Sequence, residues 1–175
     1  MSTERAVQVR LRPLRLADES DALAAHAEME PEDFEFLLGW DRAMTWADYV
    51  TVLERRRWGQ DLPERFVPST FLGIVVDGAL AGRVSIRHEL NDFLAREGGH
   101  IGYGVRPAFR RRGVATEALR QGLVVARSVG VDDVLVTCDD ANVGSAAVIE
   151  SCGGVLDSVI DVADGSGRLR RYWIH

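Results

Sequence analysis

Apolar and polar residues alternate along "VQVRLRPL", residues 7–14, which predicts a first strand. Asp18, with Asp21 three residues on, resembles a capping box and should start a helix running to about Met29, before Pro31. Thr45 with Asp48 repeats the signal, for a second helix through about Trp58. "TFLGIVVDGALAGRVSIRHEL" reads as two antiparallel strands joined at Asp77-Gly78. "LNDFLAREGG" reads as a loop, and "HIGYGV" as a fourth strand whose two glycines predict a bulge. From Gly113 the residues Ala115, Ala118, Leu119, Gly122, Leu123 and Ala126 keep helical spacing, and Gly130 is the stop. "DDVLVTC" is short and nearly all apolar, which predicts a central, buried strand. Asn142 opens another helix ending at Gly153-Gly154, and "VLDSVIDV" and "RLRRYWIH" form a closing hairpin across "ADGSG". The order β-α-α-β-β-β-α-β-α-β-β is that of a mixed α/β fold. Strands four and five, joined through a helix, should be parallel with a right-handed crossover.

Length and composition narrow the setting. At 175 residues the chain is long enough for one domain, 1–175, with a real core. Apolar content of 46% and charged content of 27% read as globular and soluble. No apolar run reaches the roughly 18 residues of a spanning helix, so no membrane partner is expected. "MSTERAVQVRLRP" has no signal-peptide apolar block. Cys138 and Cys152 give no disulfide framework and no metal-ligand spacing. A cytoplasmic, metal-free protein is the expectation. The net charge of −6 argues against general nucleic-acid binding, so any basic cluster should be local in purpose.

One such cluster stands out. In "RPAFRRRGVATEAL", residues 106–119, four arginines precede a glycine, small residues and a helix. A helix N-terminus presents unpaired N–H groups and a partial positive charge, and so attracts anions. Gly113 lets a ligand approach the backbone, and no acidic residue lies between Glu97 and Glu117. A phosphate or pyrophosphate would suit this place; a solvated basic turn before an ordinary helix is the plainer alternative. Neither G-x-x-x-x-G-K-[ST] nor a strand followed by G-x-G-x-x-G is present.

Arg110-x-x-Gly113-x-Ala115 resembles the [QR]-x-x-G-x-[GA] motif of the GNAT acetyltransferase superfamily, and the element order over nearly the whole chain is similar to that family's. "GGHIGYGVRPAFRRRGVATEAL" followed by "VTCDDANVGSAAVIESCGG" looks like an uncharacterised bacterial branch of it. The resemblance implies an acyl-CoA N-acyltransferase fold with a mostly antiparallel sheet and parallel, splayed strands four and five. It implies acetyl-CoA as co-substrate, with the pyrophosphate cradled by Arg110, Arg111, Arg112, Gly113, Val114 and Ala115, and Thr116 adding a hydroxyl. The arginine side chains would meet the ribose phosphate. Pantetheine would lie along Tyr103, Gly104 and Val105 like an added strand, and a bulge there would turn an N–H toward the thioester oxygen. Asn142 would contact the pantetheine, act as a helix N-cap, or do both, with Ser145 beside it.

The implied reaction is direct attack by a primary amine on the thioester, which needs a general base near strand four. His100 stands where family members often carry a glutamate; it is either that base or a strand-end histidine. His88 and Glu89 are further candidates facing the acceptor, whereas His26 and His175 read as surface or terminal. The family's usual tyrosine acid falls on Ile149 here, which leaves the acid unassigned. Cys152 has no neighbouring base and reads as a buried structural cysteine. Phe34, Phe36, Trp40, Trp46, Tyr49 and Trp58, interspersed with Glu32, Asp33, Glu35 and Asp41, are either a pocket for a cationic amine or core plus a solvated face. The resemblance leaves a small-molecule or protein amine as acceptor, and allows a homodimer. The alternative function is a non-catalytic acyl-CoA-binding sensor or interaction module on the same fold.

Overall fold

A strand pairs where its alternation meets a turn that can close it, and the computed structural model, which describes residues 7–175, follows those signals closely. Residues 1–6, the start of the stretch read as lacking a signal block, lie outside the described residues. The elements are β1 Val9–Arg12, α1 Glu19–Met29, α2 Trp46–Arg57, β2 Ser69–Val76, β3 Ala79–Arg87, β4 Ile101–Val105, α3 Val114–Ser128, β5 Val134–Asp139, α4 Val143–Ser151, β6 Val155–Asp161 and β7 Arg168–Ile174. Asp77 and Gly78 both have positive φ, 49° and 86°, as the tight turn between β2 and β3 requires. Thr45 caps α2 as expected, its hydroxyl accepting the Asp48 N–H at 3.1 Å. Asp18 does not cap α1. Its carboxylate is taken by Arg12, at 2.6 and 2.8 Å, and by the Arg15 N–H. A charged partner outcompetes the helix amides there.

Strands β1-β2-β3-β4 form one antiparallel sheet and β5-β7-β6 a second. Two expectations change. The β3–β4 register runs unbroken from Gly82–Val105 to Ile86–Ile101, so β4 has no bulge; the irregularities lie at Ile74/Val75 and Leu156/Ser158. Glycine is needed on β4 for close packing instead, because a Cβ at Gly104 would run into the Phe34 ring. Strand β5 is not central in its ladder, since it pairs only with β7. Its apolar run reflects burial of Val134, Val136 and Cys138 in the core, and its other edge faces β4. The stretch read as a loop before β4 contains a π-helical turn, Leu94–Gly98, started by Asn91 accepting the Leu94 N–H and closed by Gly99 N–H to Leu94 C=O.

The two sheets meet where His100 N–H donates to the Leu135 carbonyl at 2.7 Å, and part beyond it. Sheet faces then sort the core. Ile74, Val84, Ile86 and Ile101 pack with Ala118, Leu119 and Leu123 of α3. Phe71 and Leu80 pack with Ala22, Ala25 and Met29 of α1 and Trp46 and Tyr49 of α2. Burying one such large side chain contributes about 1.5–3 kcal/mol. Ala118, Gly122 and Ala126, one face of α3, are all buried, and their small size lets the helix lie close on β3 and β4. That packing holds the α3 N-terminus beside the C-terminal end of β4.

Candidate functional site

The loop from β4 to α3 is built by local backbone geometry. Pro107–Phe109 make one 3-10 turn, then Arg111 at φ 61° and Gly113 at φ 75° take left-handed conformations. Backbone curled in this way exposes successive N–H groups and forms anion-binding concavities. The first helical bond of α3 is Glu117 N–H to Gly113 C=O. Among the described residues, the N–H groups of 111 to 116 donate to no protein acceptor. Arg111, Arg112 and Gly113 are exposed, and a Cβ at Gly113 would meet nothing within 4 Å. The loop therefore offers an open row of donors, Arg111 through Thr116, that fits a pyrophosphate.

The four arginines divide. Arg110 donates to both carboxylate oxygens of Glu32 at 2.5 and 3.1 Å, and through Nε to the Val105 carbonyl at 2.8 Å. Arg106 donates to Glu28 at 2.6 Å and to the Leu80 carbonyl at 3.0 Å. Acids invisible in the local sequence thus neutralise two of them, and the Arg110 side chain is held to Glu32 and to the Val105 carbonyl. The Glu32 carboxyl is held below the usual carboxylate range by its bond to Arg110. Arg111 and Arg112 have no carboxylate within ion-pair reach among the described residues.

Beyond the loop, β4 and α4 face each other across the gap between the sheets. Asn142 caps α4, its Oδ1 accepting the Ser145 N–H at 3.0 Å. Tyr103 reaches from β4 and its hydroxyl lies 2.8 Å from Ser145 Oγ. Burial pushes the Tyr103 phenol up to about 12. The local sign of this hydroxyl pair in the sequence is a tyrosine flanked by glycines in "IGYGV". Ile149, in the family's tyrosine slot, is fully buried and supplies no proton. Cys152 packs its thiol against the Thr116 carbonyl at 3.6 Å, and burial pushes that thiol up, away from the thiolate.

The His100 ring lies between β4 and β5 with its lone pair engaged. Its Nδ1 accepts the buried Leu135 N–H at 2.9 Å, while the His100 backbone N–H donates to the Leu135 carbonyl. A ring that accepts at Nδ1 carries its proton on Nε2 and has no spare lone pair. Burial first, and Arg87 second, lower its pKa from 6.5, which keeps that neutral form. His100 is a clasp between β4 and β5. His88 Nε2 pairs with Thr70 Oγ1 at 2.8 Å, and Glu89 is exposed. His26 is not a free surface residue, since its Nδ1 accepts the Leu37 N–H at 3.1 Å; His175 pairs with Asp133.

The aromatic and acidic residues of 32–58 do not converge on one pocket. Phe36, Trp46 and Tyr49 are core, with Trp40 edge-on to Trp46 and Tyr49, and Trp58 is 67% exposed. Glu35 accepts the Gly39 N–H and Asp41 the Ala43 N–H. Phe34 alone reaches β4, lying between Gly104 and the Arg83 guanidinium, which sits 4.3 Å from its ring centroid. Arg83 is 4% exposed and donates to the carbonyls of Glu35, Phe36 and Gly102. Burial, then the nearby Arg87, pushes its pKa down to about 9, so it stays charged at neutral pH. Among the described residues, no group of three His, Cys, Asp or Glu side chains could hold a metal, and no helix is long and apolar enough to cross a membrane.

Comparison with known proteins agrees with this geometry. The sequence profile of the acetyltransferase (GNAT) domain matches residues 8–155. No curated protein matches the chain. Among solved structures, Mycobacterium smegmatis RimJ in complex with CoA-disulfide is similar at 22% identity and a TM-score of 0.71, over 95% of this chain and 81% of that one. The microcin C7 self-immunity acetyltransferase MccE, in complex with acetyl-CoA and AMP, is 19% identical, with a TM-score of 0.64 over 95% of this chain and 92% of that one. An acetyltransferase from Agrobacterium tumefaciens str. C58 is 22% identical, with a TM-score of 0.64 over 100% of this chain and 95% of that one.

Proposed function

Because the chain belongs to the GNAT acetyltransferase family, we propose that it is a single-domain, cytoplasmic N-acetyltransferase that moves an acetyl group from acetyl-CoA to a primary amine. The observation that carries this reading is the row of unpartnered N–H groups at 111 to 116, open at Gly113 and set beside the gap between β4 and β5. In it the pyrophosphate sits on the amides of Arg111, Arg112, Gly113, Val114, Ala115 and Thr116, with the α3 dipole behind them. The side chains of Arg111 and Arg112 supply the positive charge. Tyr103, Gly104 and Val105 offer backbone groups along the gap, and Asn142 has its Nδ2 left for a ligand. Bound acetyl-CoA supplies the acyl carbon and a thiol leaving group, so that a C–N bond forms as the C–S bond breaks.

This chain's own groups handle the protons. Tyr103 holds one at its phenolic oxygen, beside Ser145, and its raised pKa keeps it a donor at neutral pH. The amine reaches the site under the field of Arg83 and Arg87, which lowers an ammonium's pKa and favours the neutral nucleophile. Its proton then passes to water. Direct attack, without an acyl-enzyme, accords with the raised pKa of Cys152.

Release of free CoA thiol from acetyl-CoA across a panel of amines tests the reading. Amine-dependent release supports it. CoA binding with no release under any amine supports the second reading, a non-catalytic acyl-CoA-binding module, which the engaged Nδ1 of His100 favours.

A further inference from the structure

A pocket of about 170 Å³ opens between α2, β2, β3 and the π-helical turn before β4. Its charged lining is Arg56, Arg65 and Arg87, with no aspartate or glutamate among the lining residues, in a chain whose net charge is −6. Phe66, Phe71, Phe93 and Leu38 supply apolar walls. Period-two alternation explains part of the cluster. Arg83, Ser85 and Arg87 share one face of β3, the face that Ser69 and Phe71 of β2 and Gly102 and Gly104 of β4 continue.

The guanidinium groups are built in. Arg56 is 6% exposed, its Nη1 donates to the Leu38 carbonyl at 2.8 Å, and its charge lies 4.7 Å from the Phe66 ring centroid. Its Nε has no hydrogen-bond partner. Arg87 donates from Nη1 to the Gly98 carbonyl at 3.3 Å. A Cβ on Gly102 would lie 3.1 Å from Arg87 Nη1 and 3.7 Å from Arg83 Nη1, so both groups stand over β4, one residue before Tyr103. Among the described residues, none of Arg56, Arg83 and Arg87 has a carboxylate at ion-pair distance. Glu35 is the acid whose charge reaches Arg56 and Arg83, and its Oε1 is bonded to the Gly39 N–H. Buried cations without counter-charge are costly, and carbonyl contacts satisfy their N–H groups without neutralising them.

We propose that this pocket receives the acceptor, and that the acceptor is an amine that also carries an oxyanion, a carboxylate or a phosphate, on an apolar body. The oxyanion lies against Arg56 and Arg87, whose planar groups suit bidentate contact. The body lies against Phe66, Phe71 and Phe93, and the amine points to β4. The inference rests on the acetyltransferase reading, which makes the space beside β4 an acceptor site. It also sets a direction of selectivity, since a polyamine would enter a positive field.

Calorimetry on the CoA-saturated protein tests it, using N-acetyl derivatives of alanine, leucine, methionine and phenylalanine as free acids, as amides, and as aminophosphonate analogues. The expected result is that at least one free acid or phosphonate binds ten times more tightly than its amide. Arg87→Gln should erase that preference while CoA affinity holds. Tighter carboxylates would identify an amino-acid-like acceptor and tighter phosphonates a phosphorylated one; both support the pocket. Amides that bind as tightly as both the acids and the phosphonates, no binding of either anion at millimolar concentration, or preference for spermidine would overturn it. The acid–amide comparison needs no variant, so poor folding of Arg87→Gln does not blunt the test. Thiol release measured with the parent amines separates the two claims. Release without acid preference sinks the anion pocket alone. Acid preference without release sinks the acetyltransferase reading and leaves the pocket standing.

Discussion

Glu32 holds Arg110 across 78 residues of sequence, its carboxylate taking two hydrogen bonds from the guanidinium. This pair ties the turn after α1 to the loop before α3. It also removes one positive charge from the loop's free total. The pair is exposed, so its effect is electrostatic and subject to salt rather than a large term in stability. Glu32→Gln should therefore tighten CoA binding, by about two- to fivefold at low ionic strength. The gain should fade as salt is raised. Calorimetry at two salt concentrations checks this, and unchanged affinity at low salt would show that Arg110 does not act on the phosphates.

Gly113→Glu should abolish CoA-induced thermal stabilisation. The substitution places a side chain and a negative charge at the open mouth of the amide row. With ligand at a hundredfold excess over Kd, the stabilisation lost is about 2.7 kcal/mol. The left-handed φ of 75° adds strain for any side chain, about 1–2 kcal/mol. Gly113→Ala carries the strain without the charge and should keep most of the ligand effect. Full stabilisation of a folded Gly113→Glu protein would place the cofactor elsewhere.

His100→Ala should act on stability. Its removal leaves the buried Leu135 N–H without its acceptor, at a cost of about 1–3 kcal/mol. The pH dependence has a definite sign. The folded-state pKa lies below 6.5, so the unfolded chain binds the proton more readily. The contribution of His100 is complete above pH 6.5 and is lost as pH falls through the lowered folded value. Denaturant unfolding from pH 8 to pH 5 should show the loss in the wild type and a shallower one in the variant. His88, also lowered by burial, retains its share of the slope. A variant of unchanged stability whose rate profile loses a histidine limb would support His100 as the base.

Cys152→Ala should keep at least a tenth of the thiol-release rate. The thiol packs on the Thr116 carbonyl, with its pKa raised and no base beside it. Mass spectrometry after mixing with acetyl-CoA should find no acetylated cysteine. An acetyl adduct at Cys152, with turnover lost in the variant, would establish a covalent route.

The element order, the Asp77-Gly78 turn, the Thr45 cap and the loop from Arg110 to Thr116 are all legible along the chain. Each is a local matter: a period of two or 3.6 residues, a left-handed glycine, or a side chain bonding its own neighbours. Which arginines remain free depends on the fold, because Glu28 of α1 and Glu32 of the turn after it reach Arg106 and Arg110 from far along the chain. Likewise, only the meeting of β4 with β5 commits the His100 lone pair to Leu135, and only the β3–β4 register stands Arg83 and Arg87 over Gly102. The bulge expected from two glycines gave way to a close approach by Phe34, seventy residues away in the chain. Charge pairing, lone-pair use and close packing are relations between atoms that folding brings together, and no spacing along one segment encodes them.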